Sequence, residues 1–259
     1  MRGAFIAEPK QSAPPIKAVF NYALACLLVI SFFWASISMA GIALNFDFVW
    51  QYRERIIKGL LLTVGISAGS LVASLAIALP VAIGQGCRVL IVRYLCDLYV
   101  KVIRGTPLLA QIYLFYYIVG TAWGVNNRIA AGIIILSIFS GAYIAEILRG
   151  SIASIDQGQI EAAKAVGFTR LQTAKHVTIP QLVSRTLPAL AGQFASIVKD
   201  SSLLSVIAII ELTQTMKEIS ATNFNLLGCY LFLGILYLCL TLPIAAISRH
   251  FEKRLDYAH

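Results

Sequence analysis

Apolar runs without a single charge follow one another through this chain, and several are long enough to cross a bilayer. Residues 18–46, 59–87, 105–127 and 219–248 contain no Asp, Glu, Lys or Arg. A helix needs about 20 apolar residues to span the hydrocarbon core. Two more stretches are marginal: 129–145 continues to Leu148 if Glu146 faces protein, and 186–210 is interrupted by Lys199 and Asp200. Unpaired backbone groups are not tolerated in lipid, so spanning segments are helices or strands of a closed barrel, and the alternation of barrel strands is absent here. The expected fold is an all-α membrane protein with about six transmembrane helices, near 19–44, 59–84, 96–120, 129–148, 188–210 and 226–247. Composition agrees, with 59% hydrophobic and 13% charged residues, against about 25% charged in a soluble domain. The first apolar segment exceeds a secretory h-region of about 7–15 residues and no small-residue cleavage site follows it, so it reads as a retained span.

Basic residues orient the set, because cytoplasmic loops carry excess Lys and Arg. With the N-terminus inside, only Arg53, Arg55, Lys58, Arg128 and Lys217 lie outside, against Arg2, Lys10 and Lys17 and basic groups within 88–104, 149–185 and 249–254 inside. Both termini are therefore expected in the cytoplasm. The formal charge of +9 does not point to nucleic acid, since the cations are spread between spans instead of forming one patch. Phe46, Phe48, Trp50 and Tyr52 read as an external interfacial segment of rings at headgroup depth. The five cysteines, Cys26, Cys87, Cys96, Cys229 and Cys239, form no CxxC pair and no metal spacing with His176, His250 or His259. They read as reduced, helix-packing thiols.

One polar island interrupts the pattern. In EAAKAVGFTRLQTAKHVTIP (161–180), Asp156 can cap a helix starting near Gly158. Gly167 can end it in the left-handed conformation. Thr169 with Gln172 reads as a capping box opening a second helix, and Pro180, lacking an N–H, is expected to close that helix. Such a helix–turn–helix between spans is either a solvated loop or a docking surface for another protein.

The order EAA, three residues, glycine, nine residues, aliphatic–x–aliphatic–Pro resembles the EAA loop of ABC-importer permeases. Here it is Glu161, Ala162, Ala163, Gly167, Val177, Ile179 and Pro180, the two aliphatics departing conservatively from the usual Ile and Leu. VIRGTPLLAQIYLFYY (102–117), GAYIAEILRGSIASIDQGQIEAAKAVG (141–167) and IVKDSSLLSVIAIIEL (197–212) resemble the polar amino-acid permeases of the histidine/glutamine/glutamate type, from roughly Gly59 to Glu252. The resemblance implies a MetI-like permease subunit in the bacterial inner membrane. It implies a second permease subunit, identical or sister, an ABC ATPase dimer inside, and a solute-binding protein outside. It also implies a polar amino acid moved by alternating access, with ATP and Mg bound by the ATPase and no cofactor, metal or catalytic residue in this chain. The expected division is 1–58 (cytoplasmic tail, added helix and interfacial segment), 59–252 (permease domain with its coupling loop at 156–180) and 253–259 (cytoplasmic tail). No Walker-type glycine loop is present, so energy must come from a partner. An ion-driven secondary transporter or a sister importer for another solute are the alternatives. The first would want a proton or sodium relay and usually an inverted repeat, neither of which is visible. A membrane enzyme would need clustered catalytic side chains, which are absent.

Charges within spans are the substrate-path candidates, because they cost about 2.5–3.5 kcal/mol at a helix centre and so face protein or water. Glu146 shares a face with Tyr143 and Arg149, and simple pairing with Arg149 would equally explain it. Lys199 and Asp200 interrupt the fifth span, with Gln193 and Ser196 on the Asp200 face. They could be an internal pair or a lining for a zwitterion. Arg104 is expected to snorkel beside Pro107, which starts or kinks a helix. Tyr113, Tyr116, Tyr117 and Gly120 form an aromatic surface. Gly65 and Gly69, with Ser70 and Ser74, read as a close-packing face.

Overall fold

The computed structural model describes residues 14–39, 41 and 44–256, and every regular element among them is helical. The tail positions Arg2, Lys10 and His259 lie outside the described residues. Internal contacts divide the chain after Asn45 into two units. The first contributes one helix, α1 (Pro15–Met39), whose large side chains such as Leu28, Phe33 and Trp34 are exposed. Apart from Lys17 and Asn21 near its start, the helix is apolar on all sides, the pattern of a segment surrounded by lipid. Two of its hydroxyls are satisfied internally, Ser31 donating to the Leu28 carbonyl and Ser36 to that of Phe32, both at 2.9 Å.

The second unit comprises α2 (Phe48–Gln51), α3 (Arg53–Gln85), α4 (Leu90–Gly105), α5 (Leu108–Tyr113) with a π-helical continuation to Gly120, α6 (Arg128–Ala153), α7 (Gln157–Ala165), α8 (Arg170–Thr173), α9 (Ile179–Asp200), α10 (Leu212–Asn223) and α11 (Leu226–Asp256). Among the described residues, four helices are long and apolar enough to cross a membrane: Ile16–Met39, α3, α6 and Leu226–Arg249. Leu90–Gly105 and Leu108–Gly120 make a fifth only as a pair bent by 111°.

Two expected spans therefore differ. The third breaks at Thr106–Pro107. Pro107 has no N–H and forces Thr106 into extended backbone (φ −120°, ψ 148°). The carbonyls freed by the break are recovered by Gln111, which is buried. Its Nε2 donates to Ile103 O at 2.7 Å, Thr106 O at 3.2 Å and Thr106 Oγ1 at 2.8 Å. The expected 188–210 span ends as an α-helix at Asp200, continues as a 3₁₀ turn over Ser201–Ile207, and stops at left-handed Ala208 (φ 56°). Its serines compete for backbone carbonyls, Ser201 Oγ donating to Val198 O at 2.8 Å.

Helices α3 and α6 form the centre of the unit. A stripe of small residues on α3, Gly59, Thr63, Ser67, Ser70, Ser74 and Ala78, is buried, which lets backbones approach closely. Ser137 Oγ on α6 donates to Ser70 O at 3.3 Å and to Ile133 O at 2.6 Å. Gly59 needs its missing Cβ: one placed there would sit 2.6 Å from Thr215 Oγ1 of α10. Of the expected GxxxG pair, Gly65 faces away and meets nothing within 4 Å, while Gly69 packs on Ile133. The seam is thus the serine stripe one position over. One end of the unit gathers α2, α10 and the start of α11. There Phe48, expected at headgroup depth, is instead buried against Phe232 (centroids 5.9 Å apart), and Arg55 pairs with Glu218. Trp50 and Phe46 remain exposed. Cys229 is buried and Cys96 packs against Gly84, while Cys26 and Cys239 are exposed; all five thiols are free.

Candidate functional site

The polar island folds as a fixed turn between two helices. Asp156 Oδ1 accepts from Gly158 N at 2.8 Å and caps α7. Gly167 (φ +86°) ends it: Phe168 N bonds to Ala163 O and Gly167 N to Lys164 O, both at 3.0 Å. That pairing is a Schellman closure, which requires the left-handed residue. The capping box is present in full, Thr169 N donating to Gln172 Oε1 at 2.8 Å and Gln172 N to Thr169 Oγ1 at 3.3 Å. Arg185 of α9 then ties the loop to the bundle by donating to Ser154 Oγ at 2.7 Å and to the Ser154 carbonyl. Gln181 reaches Gln159 across the same seam.

Pro180 does not close the second helix. The chain passes from α8 through a π-helical turn, Ala174–Thr178, into α9, where Pro180 sits in the first turn. A proline ring clashes with the carbonyl four residues back. The wider π turn displaces that carbonyl, so the helix continues. Of the motif residues, Glu161 and Ala162 are exposed, whereas Ala163 is buried under the turn. Val166 (73% exposed) and Leu171 (78%) stand bare on this polar loop.

The substrate-path candidates fall in two places. Glu146 lies on α6 within an open cavity between the ends of α3, α4 and α6. Arg149 Nε donates to Glu146 Oε2 at 3.0 Å, and Arg104 Nη1 lies 3.9 Å from the same oxygen, its guanidinium 5.2 Å above the Tyr143 ring. Arg104 is thus a partner of Glu146 as well as a residue at the helix end. Gln193, Ser196, Lys199 and Asp200 lie on the last two turns of α9, away from that cavity. Gln193, Ser196 and Asp200 are half-buried and Lys199 is exposed. Ser196 donates back to Gly192 O at 3.3 Å. Among the described residues Lys199 and Asp200 join no ion pair, so the internal pair is not formed. The aromatic surface is a ring cluster, Tyr113 stacked on Tyr117 (5.7 Å) and Tyr116 edge-on to it (5.0 Å), carried by the π-helical turn.

Two buried polar residues escaped sequence reasoning. Gln111, described above, repairs a break that Pro107 signalled. Glu211 is wholly buried at the start of α10, accepting from Thr213 N and Gln214 N at 2.8 Å and from Tyr237 Oη at 3.2 Å. Burial pushes its carboxyl up from the ordinary glutamate range, against those bonds. Its signal was an acid directly before a polar helical stretch, the position of an N-cap. No group of His, Cys, Asp and Glu suited to a metal occurs among the described residues.

Residues 77–257 match the family profile "Binding-protein-dependent transport system inner membrane component". The chain is 35% identical to the glutamine transport system permease protein GlnP of Escherichia coli K12 over 217 residues, covering 82% of this chain and 99% of that protein. It is 32% identical to the probable glutamine ABC transporter permease protein GlnM of Bacillus subtilis, covering 85% and 100%, and 32% identical to the L-cystine permease TcyB of the same organism, covering 83% and 93%. Its fold is similar to that in a crystal structure of an amino acid ABC transporter with histidines (TM-score 0.76, 31% identity, 82% and 100% covered). It also resembles the fold in the MetNI methionine transporter (TM-score 0.64, 18% identity, 78% and 98% covered).

Proposed function

Since the chain belongs to the family of inner membrane components of binding-protein-dependent transport systems, we propose that it forms, with a second permease subunit, the pathway of an ABC importer for a polar amino acid. The permeases for glutamine and cystine to which it is similar support the substrate class. ATP and Mg belong to a partner ATPase dimer, a solute-binding protein delivers the substrate from outside, and this chain contributes no catalytic group. The core is residues 59–252, with both termini in the cytoplasm. The excess of basic residues at the α4 and α7–α8 end of the unit supports that orientation.

The observation that carries the reading is the island at 156–180. Its turn is locked by a Schellman closure and a capping box, tied to α9 by the Gln159–Gln181 bond, and topped with the exposed Glu161, Ala162, Val166 and Leu171. Such a rigid projection transmits movement: when the ATPase dimer closes, α7 is displaced and α9 follows through Gln181, which bonds Gln159 of α7. Lys199, Asp200, Gln193 and Ser196, at the far end of α9, then meet the amino acid, whose two charges need partners on leaving water. A bound ligand shifts such an equilibrium only by its differential affinity for the two states. Cysteine cross-linking from Ala162 or Leu171, both exposed, to the co-expressed ATPase tests the docking. A product that forms with ATPase and disappears in the Val166→Asp variant is expected. Failure of both positions to reach any ATPase surface refutes the docking role.

A further inference from the structure

The cavity holding Glu146, about 710 Å³, carries more cations than the path needs. Arg93, Lys101, Arg104 and Arg149 line it with only Asp97 and Glu146 as anions. Glu146 is occupied by Arg149 and Arg104, and Asp97 accepts from Gln85 Nε2 at 3.1 Å. Arg93 and Lys101 are exposed and join no ion pair among the described residues. Asp97, one helical turn from each of them on α4, keeps its charge when it accepts from the neutral Gln85 amide, so four cations against two anions leave the opening with a net charge of +2.

The surroundings of that opening are apolar. Ile83 and Ile152 stand exposed at its rim. Beside it α4 turns out a bare face of Leu90, Ile91, Tyr94, Leu95 and Leu98, while Val100 and Ile103 are buried against the bundle. A helix with one basic, one bare apolar and one packed face is built for the membrane interface. The 111° bend at Thr106–Pro107 frees α4 from the direction of the segment after it.

We propose that this cavity holds the headgroup of an anionic phospholipid, its phosphate drawn by the net positive lining to which Arg93 and Lys101 contribute, and its acyl chains over the apolar face of α4. The charge calls for an oxyanion, and the apolar surface continuous with it calls for one carrying hydrocarbon, which a free phosphate lacks. With the orientation argued above, the lipid belongs to the cytoplasmic leaflet, whose anionic lipids attract basic residues near the surface.

The test uses the full chain in phosphatidylcholine vesicles, with Trp34, Trp50 and Trp123 changed to Phe and Ile152→Trp as reporter. Dibrominated phosphatidylglycerol is expected to quench this tryptophan at lower mole fraction than dibrominated phosphatidylcholine. Arg93→Gln with Lys101→Gln should erode that preference by about fivefold per cation removed, down to parity. Arg93→Lys with Lys101→Arg should retain it, as should Lys58→Gln at the other end of the unit. Equal quenching by both lipids in the reporter chain, or a preference that survives loss of both cations, overturns the proposal. Displacement of the quencher by millimolar inorganic phosphate overturns it in favour of a soluble anion. Because no ATPase enters the measurement, its outcome is separate from that of the permease reading.

Discussion

Replacing Gly167 isolates one physical term. The residue sits at φ +86°, and a Cβ built on it meets nothing within 4 Å. Substitution therefore changes no packing inside the chain, and the whole effect is the cost of the left-handed backbone, about 1–2 kcal/mol for an ordinary L-residue. With 1.4 kcal/mol equal to tenfold in an equilibrium, the population of the closed α7–α8 turn relative to open forms falls by roughly 5- to 30-fold in Gly167→Ala. Asn visits this conformation more readily, and a β-branched residue is worse placed there. The expected order of coupling is Gly, Asn, Ala, Val. The assay is substrate-stimulated ATP hydrolysis and amino-acid uptake in proteoliposomes holding the permease, its ATPase and the binding protein. Hydrolysis by the isolated ATPase serves as the control. An Ala variant coupled as well as the parent, with only Val impaired, would show that bulk at the docking surface matters and backbone strain does not.

Gln111→Leu should lower thermal stability by about 1–3 kcal/mol, because the Ile103 and Thr106 carbonyls lose their buried donor at the α4–α5 break; an unchanged melting temperature refutes that role. Glu211→Ala should cost about 0.5–2 kcal/mol as a lost N-cap, with Glu211→Gln milder, in the same melting assay; equal losses would count against the capping account. Asp200→Asn and Lys199→Met should leave an assembled complex with basal ATPase but altered uptake or preference; wild-type uptake in both ends the lining proposal, and loss of assembly in both makes them structural. Alkaline phosphatase fused after Asn126 should be active and after His259 inactive; the reverse pattern inverts the orientation.

The local grammar of the polar island was readable in one dimension, because caps and closures depend on residues three or four apart. Asp156, Gly167, Thr169 and Gln172 each hold the position their chemistry implies. The apolar runs likewise dictate helices, since lipid offers backbone groups no other partner. What failed was continuity. The stretches 96–120 and 188–210 read as spans, the first with a possible kink at Pro107 and the second interrupted by Lys199 and Asp200, yet the chain turns fully at Thr106–Pro107 and leaves the α-helix after Asp200, and Pro180, which reads as a stop, is passed. Each outcome turned on whether distant or wider hydrogen bonding could absorb the fault: Gln111 does so at the first break, and the π turn at Pro180.

Beyond the i,i+3 pair of Glu146 with Arg149, placement of the charges lay with tertiary structure. From sequence, Glu146, Lys199 and Asp200 were one class of intramembrane charge. Packing of α4 against α3 and α6 brings Arg104, 42 positions earlier in the chain, to Glu146. Lys199 and Asp200 are left on α9 without an ion pair among the described residues. Membrane residence, helical class and the shape of the α7–α8 turn are short-range consequences of hydrophobicity and capping. The Arg149–Glu146 pair, three residues apart, was locally encoded, but which further charges join it and which stay without a partner depends on how helices distant in sequence cross, and no local pattern encodes that.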